Sequence, residues 1–195
     1  MVSQLPETHE RTTSDYAELA ETVRRLQAAV CAADPPPDVI RRVVRELART
    51  SAELEGHRVP EQQRPAHRRP TPAVTHPSLV PYVITEVDAT RLVAATRFTD
   101  AHLGGNGAVH GGQIPLLFDD LLGIFVGMKA QPGSRTAYLK VDYRRVTPIN
   151  RPLHVEASID RVEGRKTFVN GRLLDGACVC AVAEALFVRL LPGQP

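Results

Sequence analysis

The sequence predicts an α+β fold in which one long apolar helix lies against an antiparallel sheet, with a pair of helices ahead of them. Three observations predict it. Between Ile114 and Met128 the only charged residues are Asp119 and Asp120, so that helix has almost no polar outer stripe. Strand-like segments flank it, and the last three are joined by turns short enough to require antiparallel neighbours. The first 55 residues instead carry apolar side chains at helical spacings of three and four.

In chain order, the first unit spans residues 1–55 and reads as a helical hairpin. Tyr16, Leu19, Val23, Leu26 and Val30 mark one helix over Ser14–Ala33, with Ser14 as its N-cap, and Val39, Ile40, Val43, Val44 and Leu47 mark a second over Asp38–Leu54. Pro35-Pro36-Pro37 separates them. Arg24, Arg25, Arg41, Arg42, Arg45 and Arg49 fall opposite the apolar stripes and are expected to be a solvated face. Residues 56–78 form a linker, polar and interrupted by Pro60, Pro65, Pro70, Pro72 and Pro77, a composition that cannot pack a core. His57, His67 and His76 fall in it at spacings of ten and nine, and no metal site is assigned to them.

Residues 79–195 carry the main domain. Val80–Val87 and Leu92–Phe98 are expected to pair across Asp88-Ala89-Thr90, and a loop over Thr99–Val109 leads into the helix, which runs from Gly111 or Gly112 to about Lys129. Four strands follow, Thr136–Tyr143, Leu153–Val162, Lys166–Leu174 and Cys178–Leu190, the last three joined by Glu163-Gly164-Arg165 and Asp175-Gly176-Ala177.

Composition narrows the function classes. With 195 residues and 43% hydrophobic content the chain builds a real core, and 24 basic against 22 acidic side chains leave only +2, all of it after Ser78. No run of basic residues interleaves with aromatics and there is no Trp, so nucleic acid is not an expected partner. Cys31, Cys178 and Cys180 are too few for a disulfide framework and are read as small buried residues. Met1–Asp15 holds no apolar leader and no segment reaches the length of a membrane span, so the expected location is the cytoplasm.

The chemistry-bearing stretch is Asn106-Gly107-Ala108-Val109-His110-Gly111-Gly112-Gln113, which places a glycine-rich loop at the start of the apolar helix, with Asp119 and Asp120 further along it. Free backbone N–H groups at a helix start favour developing negative charge, and a carboxylate in an apolar helix is costly without a task. This is the outline of an acyl-transfer site. Nearly every face of such a helix must be covered by the sheet or by another subunit, the arrangement called the hotdog fold. The templates of other hydrolases and nucleotide-binding proteins are missing: there is no Gly-x-Ser-x-Gly, no Gly-x-x-x-x-Gly-Lys and no His-Glu-x-x-His.

From Val83 to Val188 the chain resembles the PaaI-like hotdog acyl-CoA thioesterases, in which His-Gly-Gly precedes the central helix and an acid follows nine positions after the His; here that position is Asp119. Thr136-Ala137-Tyr138-Leu139-Lys140-Val141-Asp142-Tyr143 resembles the family's strand after the helix, and Gly164-Arg165-Lys166 its basic turn. The resemblance implies thioester hydrolysis without a cofactor or metal. The Gly111 N–H would bind the oxyanion, Gly112 and Gln113 would border the acyl group, and Asp119 would act as base or as nucleophile, a choice that the sequence leaves open. His110 would contact the thioester or orient the loop, and Thr136 matches a Ser/Thr beside the acid. Relatives often carry Asn six before the His; here Gly104 stands there and Asn106 is the candidate. The phosphates of CoA call for basic residues, and Arg144, Arg145, Arg165 and Lys166 are the candidates.

Gly111 and Asp119 are eight residues apart on one helix, or ~12 Å along its axis, too far for both to serve one carbonyl. The expected enzyme is therefore a homodimer or dimer of dimers with composite sites. At 100° per residue Asp119 shares a face with Gly112 and Gly123, whereas Asp120 points about 100° away and is read as the partner of an Arg or of a backbone donor. The alternative function is a non-catalytic acyl-CoA- or lipid-binding hotdog dimer whose N-terminal helices recruit a partner.

Overall fold

The computed structural model describes residues 7–65 and 72–194. The first six residues of the Met1–Asp15 stretch read as lacking a leader, together with His67 and Pro70, lie outside the described residues. Two helices come first, α1 (Glu7–Ala32) and α2 (Pro37–Glu55). α1 starts well before Ser14, so Ser14 lies inside the helix and is not its N-cap. α2 opens with Pro37 in its first turn, where a missing N–H costs no hydrogen bond, and with Asp38 beside the positive end of the helix dipole. The linker contains a 3-10 turn at Glu61–Gln63 and one helical turn, α3 (Pro72–Thr75).

The chain continues with β1 (Tyr82–Val87), β2 (Arg91–Thr96), the small hairpin β3 (Leu103–Gly105) and β4 (Ala108–Val109), the helix α4 (Gln113–Lys129), and then β5 (Ser134–Tyr143), β6 (Leu153–Glu163), β7 (Lys166–Asp175) and β8 (Cys178–Arg189). Six of these strands form one sheet in the order β1-β2-β6-β7-β8-β5, with antiparallel pairing throughout. Short connections enforce this. Glu163 pairs with Lys166 and Asp175 with Cys178, so each turn is two residues long, and Gly164 and Gly176 both take φ 58°, a region that glycine enters without steric cost. At the β1–β2 connection the Asp88 carboxylate accepts the N–H groups of Thr90 and Arg91, both at 2.8 Å, and these bonds hold its pKa below the ordinary value.

α4 packs against one face of the sheet. Ile114, Leu117, Phe118, Leu121, Leu122, Phe125 and Val126 are buried there, meeting Leu92, Val155, Val169, Leu173 and Phe187 from the strands. Phe118 comes so close to β7 that a Cβ on Gly171 would lie 2.8 Å from its ring. Leu117, Leu121 and Phe125 are core, while Leu116 is half-buried. The face of α4 that carries Asp119 is open in the single chain: Asp119 is exposed, and Gly123 and Gly127 are only partly covered.

The N-terminal helices depart from the reading of their charged and apolar faces. α1 docks through its small residues: Ala20 is buried, and Arg24, expected in solvent, is 8% exposed, donating to the His76 carbonyl at 3.0 Å and to Glu21 at 3.2 Å. The large apolar residues Tyr16, Leu19 and Val30 remain exposed instead. Two of the three cysteines also differ from expectation. Cys31 in the last turn of α1 and Cys178 at the first position of β8 are exposed, because each stands at the end of its element; only Cys180 is buried.

Candidate active site

The loop before α4 is a defined hairpin. Asn106 and Gly107 form its tip, both with positive φ, 50° and 72°, as a two-residue turn of the mirror-image type demands. Asn-Gly between two short extended segments is a strong hairpin signal, and the reading of Thr99–Val109 as a plain loop passed over it. The hairpin is anchored on both sides: His110 N–H donates to the His102 carbonyl at 2.7 Å, Val109 N–H to Thr147 at 2.8 Å, and Ile149 N–H to Gly107 at 3.1 Å. Gly104 has a steric reason. A Cβ there would lie 2.8 Å from His110 Cα and 3.0 Å from its nitrogen, so no asparagine fits at that position along this loop path.

His110 is held by its own loop. The Gly112 N–H donates to His110 Nδ1 at 3.1 Å, which makes Nδ1 an acceptor and puts the proton of the neutral ring on Nε2. His110 therefore presents a donor to anything bound beside it. Gln113 N–H donates to the His110 carbonyl at 2.9 Å and starts α4, whose N-cap, Gly112, supplies no side-chain acceptor. Among the described residues the N–H of Gly111 has no acceptor. Its carbonyl does have a partner: the Tyr143 hydroxyl, from the end of β5, donates to it at 2.7 Å. Nothing in the sequence distinguishes Tyr143 for this role.

Two turns along α4, the neighbouring carboxylates have different surroundings. Asp119, on the open face, accepts from Thr136 Oγ1 of β5 at 2.8 Å through Oδ1, while Oδ2 has no partner among the described residues. Asp120 is turned the other way and half-buried, accepting from the Tyr82 hydroxyl at 2.8 Å. Its partner is thus neither an arginine nor a backbone donor but a phenol, brought in from β1. Burial pushes the Asp120 carboxyl above the usual range, the nearby Asp119 charge acts in the same direction, and the Tyr82 hydrogen bond opposes both. The Tyr82 hydroxyl is pushed up in turn, first by burial and then by the Asp120 charge. One acid is therefore exposed and oriented, and the other is sequestered.

β5 pins the Gly111 loop and Asp119 at separate places, by Tyr143 at its end and by Thr136 near its start. The basic candidates are separated as well. Arg144 and Arg145 follow Tyr143 beside the Gly111 loop; Arg144 pairs with Asp142 at 3.3 Å, and the Arg145 backbone N–H donates to the Cys180 carbonyl. Arg165 and Lys166 lie at the other end of α4, where Gln131, just past the helix, bonds the Gly164 carbonyl and Arg165 Nη1 donates to the Arg189 carbonyl at 2.9 Å. A helix of 17 residues sets the two groups ~25 Å apart, so one chain does not bring them together. Among the described residues no three His, Cys, Asp or Glu side chains converge as a metal site, and no helix is long and apolar enough to cross a membrane.

This arrangement can be set beside known proteins. The model of the thioesterase superfamily matches residues 106–181. An acyl-coenzyme A thioesterase of Rattus norvegicus, THEM4, is 35% identical over 99 residues, which are 48% of this chain and 41% of the relative, so the chain spans under half of that relative's length. The crystal structure of a thioesterase superfamily protein superposes with a TM-score of 0.74 at 27% identity, covering 89% of this chain and 90% of the other. The E. coli PaaI protein shares the fold at 16% identity, with a TM-score of 0.52 over 56% of this chain and 80% of its own. The stretch matched by the family model includes the Asn106–Gly107 turn, His110, Gly111, Asp119, Thr136 and Tyr143, and the sheet around α4 has the architecture of the solved relatives; residues 106–181 match the thioesterase superfamily, and the chain has its hotdog fold.

Proposed function

We propose that this protein is an acyl-CoA thioesterase, hydrolysing an acyl-CoA to the free acid and CoA, with Asp119 of one subunit and the Gly111 N–H of another acting on the same carbonyl. The observation that carries the reading is the Thr136–Asp119 hydrogen bond, which fixes one carboxylate oxygen on the open face of α4 and leaves the other available to water or substrate. The Gly111 N–H at the helix start is suited to the oxygen that becomes negative, and the donor on His110 stands beside it. As a base, Asp119 takes a proton from water as the oxygen adds to the carbonyl carbon. The C–S bond then breaks and the thiolate leaves with that proton. As a nucleophile, Asp119 forms a mixed anhydride and expels the thiolate, and water then cleaves the anhydride.

The ~12 Å between Gly111 and Asp119 within one helix supports a composite site. So does β5, an edge strand on which Arg135, Thr136, Ala137 and Tyr138 are exposed, leaving room for a second copy against the face that carries Asp119. In this reading Arg145 serves the CoA phosphates from beside the Gly111 loop, Arg165 and Lys166 reach the same site only from the partner subunit, and Gln113 borders the acyl group. A non-catalytic acyl-CoA-binding dimer is favoured by one observation, the lack of room for a side chain at Gly104 where relatives often place asparagine.

CoA release from short, long and aromatic acyl-CoAs separates the two. Turnover by the wild type, with a loss of about 10²-fold in Asp119→Asn, is the expected result, as removal of a catalytic base or nucleophile commonly gives. Binding of acyl-CoA without turnover would install the binding protein in its place.

A further inference from the structure

α2 runs for 19 residues and buries none of them. Ile40, Val44, Leu47 and Leu54 stand 47%, 59%, 38% and 50% exposed. Ile40, Leu47 and Leu54 recur every seven residues, with Val43 and Val44 between the first two, so all of them fall on one side of the helix. A helix of this length whose apolar stripe is left largely uncovered by the described residues is marginal in water, because most helical stability in proteins comes from packing such a stripe. Pro37 and Asp38 favour its start but replace none of that burial.

The charges of α2 indicate what covers the stripe. Arg41, Arg42, Arg45 and Arg49 are balanced by Asp38, Glu46, Glu53 and Glu55, so the helix is neutral overall, unlike the Lys- and Arg-rich helices that lie on anionic membranes. They are also unevenly placed. The half up to Glu46 holds three arginines against two acids, and the half from Leu47 holds one arginine against two acids. Two such helices side by side in opposite directions set the positive half of each against the negative half of the other, and their dipoles oppose favourably. Centred on Leu47, that pairing sets Ile40 opposite Leu54 of the second copy.

We infer that α2 is a self-association surface, pairing antiparallel with α2 of a second copy of this chain through Ile40, Val44, Leu47 and Leu54. The pairing is separate from any contact at β5 and independent of the reaction. Sedimentation equilibrium of the full chain and of the Ile40→Glu/Leu47→Glu variant tests it. Since these side chains are not buried in the single chain, the variant keeps its near-UV circular dichroism, and its expected molar mass is half that of the wild type at micromolar concentration. In a Cys31→Ser/Cys178→Ser background, Leu47→Cys is expected to crosslink two chains on oxidation and Ile40→Cys is not. Equal masses for wild type and variant overturn the proposal. Cosedimentation of the wild type with phosphatidylserine–phosphatidylcholine vesicles, abolished in the variant without a change in mass, also overturns it and assigns the face to a membrane.

Discussion

α4 and α2 are nearly equal in length, 17 and 19 residues, yet one buries seven of its residues and the other none. α2 has the patterned stripe usually associated with packing onto a core, whereas α4 is apolar almost all round. The difference teaches that an amphipathic stripe announces a partner without saying that the partner is in the same chain. A helix without a polar stripe must be enclosed, and of the two acids α4 retains only the exposed Asp119 marks where enclosure stops. On α4 that place is the face of Asp119, Gly123 and Gly127.

The sharpest way to break this contrast is to truncate one large side chain on each helix. Phe125 is fully buried among Leu and Val side chains, and Phe125→Ala is expected to cost about 3–5 kcal/mol in denaturant unfolding. Leu47→Ala, measured at a concentration low enough to keep the chains apart, is expected to cost less than about 0.5 kcal/mol, as an exposed substitution does. A comparable cost for both would mean that α2 is packed within its own chain.

A smaller effect tests the clamp at the start of α4. Tyr143→Phe removes the hydroxyl that holds the Gly111 carbonyl, and is expected to lower kcat about 10-fold, or ~1.4 kcal/mol, with KM and the unfolding midpoint little changed. A KM effect alone would make Tyr143 a binding contact rather than a positioning one.

The smallest expected effect concerns the sequestered acid. Asp120 has its folded-state pKa raised by burial, so the folded protein holds this proton more tightly than the unfolded chain. Its contribution is neutral below the ordinary carboxylate range of ~4 and becomes increasingly unfavourable as pH rises from there through the raised value. Asp120→Asn keeps an acceptor for Tyr82 and removes the charge, so its stability relative to wild type is expected to grow between acid and neutral pH. Urea unfolding across that range checks the sign, and a relative stability that falls with pH would show that the carboxylate is the favoured form.

The sequence by itself determined what neighbouring residues decide among themselves. The strand limits from Leu153 to Arg189 differ from the predicted ones by at most a residue or so, because alternation and two-residue turns at Gly164 and Gly176 are local chemistry. The placement of Asp119 on the small-residue face of α4 followed from 100° per residue, and Thr136 beside it was indicated by the resemblance. Asn106-Gly107 is equally local, a turn signal legible in two adjacent residues.

Only the tertiary structure decided which distant residues complete these groups. Tyr82 and Asp120 are 38 positions apart, and Tyr143 and Gly111 are 32 apart. No periodicity links such pairs; they meet because the first residue of β1 reaches the middle of α4 and the last residue of β5 reaches the loop before it. The same holds for α1, whose Ala20 and Arg24 are buried while Tyr16, Leu19 and Val30 face out. Helical periodicity identifies a stripe, but the shape of the surface beneath decides which side of the helix fits it, and that surface is assembled from strands far along the chain.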